Sequence, residues 1–222
     1  MKVTMDLNIT GIEPSVWKVM WEAAHAGHDM VHFLDSMSPN QLESKIWLVE
    51  QLESHVEYND DLKVQLYGGW FGYPITNILL QSSLDIRAIQ NIDLDEKALK
   101  VFRQYSSFDN NDVNFVATHK SVMDKDERDW GTNIVINTSS EHMPDMSEII
   151  KDKEYKTKED NTKSGPPIFA VQSNNMHHIS DHINCVTTRW ELEDKCGFSD
   201  IRYSGKIKMH NGYERYMVIG YA

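Results

Sequence analysis

Cysteine is scarce: Cys185 and Cys196 are the only two in 222 residues. Two thiols cannot build a disulfide framework, and their spacing is not the C-x-x-C of a redox or zinc motif, so both read as free. Long apolar runs are missing as well. The N-terminal MKVTMDLNITGIEPS holds no apolar stretch of signal-peptide length, and nothing approaches the ~20 apolar residues that span a bilayer. A cytoplasmic protein with no membrane contact is the expectation. Basic residues are outnumbered, with 22 Lys and Arg against 34 Asp and Glu for a net charge of −12. General nucleic-acid binding is disfavoured, because neutralising phosphates needs a dense cationic surface. A local basic patch stays open. What is present, 40% hydrophobic and 25% charged residues, is an ordinary globular mix, and the length suits one domain with a substantial core.

Residues 14–37 open as an amphipathic helix with Val16, Val19, Met20 and Ala23 on one face and Trp17 and Trp21 beside them. The tryptophans read as core, with a cap over a substrate pocket as the alternative. A second helix has a written start: Ser38 as N-cap, Pro39 at the first helical position and Gln41 completing a capping box. Leu42, Ile46, Val49, Leu52 and Val56 follow at helical spacing, to an end near residues 58–60.

From residue 62 the period changes. LKVQLY (62–67) reads as a strand, 74–82 as a helix, IRAIQNID (86–93) as a strand, and 96–105 as a helix capped by Asp95 with Ala98, Leu99, Phe102 and Tyr105 inward. VNFVATH (113–119), NIVINTS (133–139) and IFAVQS (168–173) are three more strands. The unbroken Ile134, Val135 and Ile136 suit a parallel strand covered on both faces. Residues 151–164 are polar and read as a solvated loop or frayed helix, and 190–196 as a helix stopped by Gly197. The chain closes on two β-type runs joined by His210-Asn211-Gly212, a hairpin signal. Strands alternating with helices imply right-handed crossovers and a parallel sheet, to which the hairpin adds an antiparallel element.

Two local patterns carry chemistry. VQLYGGWFGYP runs a strand into Gly68, Gly69 and Gly72 before a helix, where glycine permits positive φ and close approach to a ligand. IQNIDLDEKAL puts a carboxylate, Asp93, at the end of the next strand, 25 residues beyond Gly68, near the spacing of dinucleotide-type sites. A merely exposed Asp93 beside the cap Asp95 is the alternative.

These motifs and the order of elements, from about Ser44 to the C-terminus, resemble the class I S-adenosylmethionine-dependent methyltransferases. The overall pattern is also similar to small methyltransferase-like proteins of tailed bacteriophages, which implies no acceptor. The resemblance implies an α/β fold, a Rossmann-like three-layer sandwich with a mostly parallel seven-stranded sheet, a C-terminal antiparallel hairpin and an N-terminal helical extension. It divides the chain into residues 1–60, covering the site, and 61–222, binding S-adenosylmethionine. Gly68, Gly69, Trp70 and Gly72 would cradle the amino-acid end of that cofactor, Asp93 would accept the ribose hydroxyls, Leu94 would pack on the adenine, and Asp124 would meet its amino group. The sequence departs from the family where Trp70 replaces the middle glycine and Leu66 stands in place of an acid.

On the acceptor side the same resemblance points to the loops after the fourth and fifth strands, with Asn137, Glu141, His142, Gln172, Asn174 and His182 as lining or catalytic residues. Asn137-Thr138-Ser139-Ser140 keeps only the first residue of the Asn-Pro-Pro-Tyr of base-modifying members, which disfavours an adenine or cytosine acceptor. A small-molecule acceptor is the first expectation. Glu141 and His142 could orient a nucleophile or take its proton, or be an exposed pair at a helix start. His177, His178, Asp181, His182 and Cys185 are all metal-capable, and His178 with His182 would share a helix face; neutral hydrogen bonding over the cofactor is the alternative, and no metal is assigned. GWFGYPIT also looks like the loop of aminocarboxypropyl transferases through Gly69 or Gly72, Pro74 and Thr76. A non-catalytic module on the same fold is the third reading.

Overall fold

A computed structural model describes residues 20–21, 23–25, 27, 30–57, 60–104, 112–124, 131–151, 153 and 165–222. The expectations for Val16, Trp17, Val19, Tyr105 and most of 151–164 lie outside these residues. Helices α1 (Met30–Ser36) and α2 (Pro39–His55) precede β1 (Leu62–Tyr67), α3 (Ile75–Gln81), β2 (Ile86–Asp93), α4 (Glu96–Phe102) and β3 (Asn114–His119). Then come β4 (Ile134–Asn137), α5 (Met146–Lys151), β5 (Ile168–Asn174), α6 (Arg189–Cys196), β6 (Asp200–Lys208) and β7 (Glu214–Tyr221).

The seven strands form one sheet in the order β3-β2-β1-β4-β5-β7-β6. Every pair from β3 to β5 is parallel, and β7 runs antiparallel to both β5 and β6. Side chains alternate between two cores, as the strand period requires. Val64, Leu66, Ile134, Ile136, Ala170 and Met217 face one layer with α2, α3 and α4. Val135, Phe169, Val171 and Val218 face the other, with Met146, Ile149 and Leu192 of α5 and α6. Phe33, Leu48 and Leu52 belong to the first core, so the N-terminal helices share the sheet's own hydrophobic interior.

Local signals act where the sequence writes them. Ser38 Oγ accepts from the Gln41 amide at 3.5 Å, Asp95 accepts from the Lys97 and Ala98 amides, and Gly197 stops α6 at φ 63°. One reading needs correction. Trp21, read as core, is 64% exposed, and Gly27 takes φ 77°, a left-handed value that ends helical turns between it and α1. In α2 the buried stripe is Ser44, Lys45, Leu48, Val49 and Leu52, while Leu42 and Ile46 are exposed. They face an apolar groove with Leu34, Met37, Tyr73 and Ile78, so the apolar spacing of α2 serves both the core, through Val49 and Leu52, and this groove. No helix among the described residues is long and apolar enough to cross a membrane.

Candidate active site

β1 and β4 are neighbours, yet their connections leave the sheet in opposite directions, β1 toward β2 and β3, β4 toward β5. Divergence at such a point opens a crevice beyond the carboxyl ends of the strands, the usual ligand position in open α/β sheets. A cleft of about 800 Å³ lies there, lined by Gly68, Trp70, Asp93 and Leu94 from one side and Glu141, His142, Met143, His182 and Arg215 from the other.

Its β1–β2 rim is tied by backbone donors. Asp93 Oδ2 accepts from the Trp70 amide at 2.7 Å and Oδ1 from the Asp95 amide at 2.8 Å. Burial raises the Asp93 pKa, and these two amides oppose the rise by stabilising the charge. Trp70 is held at φ 49° by that bond and by Asn91 Nδ2, which donates to its carbonyl. Gly68 sits at φ 60°, and a Cβ there would fall 2.1 Å from Cε of Met143, a flexible thioether end lying over the turn. At Gly69 and Gly72 a Cβ would strike Asn91 and Phe102, so their lack of a side chain serves internal packing. Ser121, Val122 and Met123 line the cleft after β3, and Asp124 turns back to accept from the Ser121 amide.

The floor depends on side chains. Glu141 and Arg215 are 4% and 5% exposed and pair at 2.7 Å through Glu141 Oε1, which also accepts from Asn174 Nδ2 at 2.7 Å. Arg215 Nη2 donates to the Thr138 carbonyl as well. Glu141 Oε2 and Arg215 Nε are buried with no hydrogen-bond partner among the described residues. Lys45 of α2 lies close enough to feel both charges, and burial first, then Arg215, lowers its pKa to about 7. It donates to Gln41 Oε1, and Gln41 and Asp35 reach the cleft from the helical side.

Two imidazoles stand over this floor. The rings of His142 and His182 are 4.6 Å apart and nearly perpendicular. His142 Nδ1 faces the Asp181 carbonyl at 3.1 Å and His182 Nδ1 faces Asn174 Oδ1 at 3.2 Å. Both are acceptors, and Asn174 Oδ1 already receives the Met176 amide; each Nδ1 is therefore the donor of its pair, which in a neutral ring leaves Nε2 as the acceptor. Burial lowers the His182 pKa, which favours that neutral form, and raises that of the neighbouring Cys185 thiol.

Of the residues singled out from sequence, Gly68, Trp70, Asp93, Leu94, Glu141, His142 and His182 meet at the cleft. Gly69, Gly72 and Asp124 support it from behind. Asn137 lies beneath, accepting from the Ser139 amide and touching Met143, and Asn174 holds Glu141. Gln172 Nε2 donates to the Ser44 carbonyl, which ties β5 to α2 instead of entering the cleft. Segment 175–186 is a run of turns, so the shared helix face expected for His178 and His182 does not exist; His178 stacks on Tyr213. Sequence reasoning missed Arg215, Asp35, Gln41 and Met143. For Arg215 the one signal was a charge directly before the apolar run of the last strand.

No family model matches the sequence, and no curated protein is detectably similar to it. Solved structures are similar in fold. A SAM-dependent methyltransferase from Aquifex aeolicus superposes with TM-score 0.51 at 12% identity, over 82% of this chain and 93% of that one. The mycolic acid cyclopropane synthase CmaA1, crystallised with S-adenosylhomocysteine, gives 0.56 at 6% identity, over 83% and 86%. TrmK of M. capricolum, bound to the same cofactor product, gives 0.50 at 12%, over 78% and 67%. At such identities the likeness establishes the architecture: a Rossmann-like methyltransferase fold, seven-stranded with its C-terminal hairpin.

Proposed function

We propose that this chain binds S-adenosylmethionine in the cleft and transfers its methyl group to a small-molecule acceptor. The observation that carries the reading is the position of Gly68 and Asp93 at adjoining strand ends, both open to one cleft at the switch point of a methyltransferase fold. The residues fit such a ligand. The Asp93 carboxylate accepts backbone amides on both oxygens and retains lone-pair capacity for a ribose hydroxyl, Leu94 is 69% exposed and free to cover a base, and among the described residues the only side chain over Gly68 is the movable Met143. Solved relatives of the same fold hold S-adenosylhomocysteine, which supports the choice of cofactor.

When bound, the cofactor supplies a sulfonium-activated methyl, and alignment of the acceptor against it could lower the barrier by ~7 to 11 kcal/mol. This chain's residues then hold the acceptor and its proton. His142 and His182 present Nε2 lone pairs that can take a proton from an acceptor hydroxyl or amine. Glu141 and Arg215 fix the floor beneath them. Of the N-terminal extension, Asp35 and Gln41 reach the cleft and would act as its cover. The aminocarboxypropyl alternative is disfavoured, because Pro74 lines the separate apolar groove and Thr76 is fully buried, away from the cleft.

Calorimetry with S-adenosylhomocysteine, followed by incubation with S-adenosylmethionine and candidate acceptors, tests the reading. Saturable binding and release of S-adenosylhomocysteine are expected. Release of methylthioadenosine would identify aminocarboxypropyl transfer, binding without turnover a non-catalytic module, and absence of binding at high micromolar ligand would overturn the proposal.

A further inference from the structure

The cluster above the floor has a second capacity. One carboxylate oxygen of Glu141 and one ring nitrogen each of His142 and His182 lie within 4.8 Å of one another. We propose that these three residues bind one divalent transition-metal cation of the zinc or cobalt type, with its remaining coordination positions open to the cleft.

The donor set is right for such an ion. Two imidazoles and a carboxylate suit zinc, cobalt and their neighbours, whereas magnesium and calcium prefer all-oxygen cages. Metal-ligating histidines characteristically donate their other ring N–H to a carbonyl or carboxylate, which fixes the tautomer and aims the lone pair. Both do so here, His142 to the Asp181 carbonyl and His182 to Asn174 Oδ1. Asp181 Oδ2, 3.4 Å from His142 Nδ1, adds negative charge at the rear of that ring.

An independent observation comes from the carboxylate. Glu141 is 4% exposed, its Oε1 is taken by Arg215 and Asn174, and its Oε2 has no partner among the described residues. A buried carboxylate oxygen left without a donor is costly unless something occupies its lone pairs. A cation bridging it to the two imidazoles would do so. Tetrahedral donors around zinc stand roughly 3.4 Å apart, so modest closure of the imidazoles is needed. That movement is open to His142, whose side chain is 39% exposed. Arg215 holds Glu141 in place through Oε1 while leaving the second oxygen to the metal.

The ion would accept an oxygen donor of a molecule in the cleft. If the sulfonium reading holds, the ion would lower the proton affinity of an acceptor oxygen bound to it, and that proton would pass to water in the cleft, because the two imidazole lone pairs would then be held by the metal. Binding of the ion itself does not rest on that reading, since no second ligand is needed.

The test uses the full chain, stripped with a chelator and titrated with Co²⁺, followed by visible absorption and calorimetric stoichiometry in the absence of S-adenosylmethionine. One saturable equivalent with a tetrahedral or five-coordinate spectrum is expected. His142→Ala and His182→Ala should each weaken it by roughly tenfold or more, at least what loss of an outer partner costs. His142→Ala is the deciding variant, because an exposed ring can be removed without unfolding the floor. His177→Ala and His178→Ala should leave the equivalent intact. No equivalent at millimolar Co²⁺, binding unchanged in both His142→Ala and His182→Ala, or loss only in the His177 and His178 variants would each overturn the proposal.

Discussion

Along the β1–β2 rim, Asp93 takes backbone amides two and 23 residues away, at Asp95 and Trp70. Across the floor, Glu141 meets the side chains of Asn174, 33 positions on, and Arg215, 74 positions on. The rim therefore needs a particular backbone path and one carboxylate, and it tolerates change in the donors. The floor needs each of its side chains, because removing one leaves another charged or polar group buried without a partner. A ligand-gripping edge made from main chain and a reactive floor made from a closed side-chain network respond differently to substitution.

The largest effect is expected on the floor. Arg215→Ala should cost about 3 to 5 kcal/mol in urea denaturation, the usual result of stranding a buried partner. A loss below ~1 kcal/mol would erase the distinction between floor and rim. Lys45 sharpens it through pH. Its pKa of about 7 lies below the 10.5 of an unfolded lysine, so between those values the unfolded chain binds a proton that the native chain does not. Native stability gains as pH rises through that window, and the burial penalty is complete below it. Lys45→Met removes this dependence; its stability advantage over the native chain should be greatest below pH 7, on the order of 5 kcal/mol, and fade toward pH 10.

On the rim, Asp93→Ala should weaken S-adenosylhomocysteine by about 2 to 4 kcal/mol, the value of one or two charge-assisted hydrogen bonds, as measured by calorimetry. The smallest change belongs to Asp95→Ala, which deletes an N-cap that accepts from two amides. A loss of ~1 kcal/mol in stability with cofactor affinity preserved is expected. Equal damage to affinity from Asp95→Ala and Asp93→Ala would show that the rim's role is structural only.

The same contrast explains what could be read from sequence. Strands β1, β2 and β5, the Ser38 and Asp95 caps and the Gly197 stop follow from patterns a few residues long, and the structure places them within a residue or so of expectation. Asp93 and the glycine turn were legible because they sit on adjacent, consecutive strands. Arg215 was not, since its partner arrives through β4 and the antiparallel insertion of β7 beside β5. Lys45 of α2 is buried beside that same distant network, which no local hydrophobic pattern announces. His182 was singled out among the histidines of its loop, but the turns of 175–186 decide that it joins His142 while His178 packs on Tyr213.

Hydrogen–deuterium exchange of the full chain with and without S-adenosylhomocysteine locates the ligand most directly. The account predicts new protection in peptides spanning 66–73 and 91–96, with weaker protection around 139–143. Protection confined to the apolar groove around Leu34, Leu42 and Ile78, or none at saturating ligand, would contradict it.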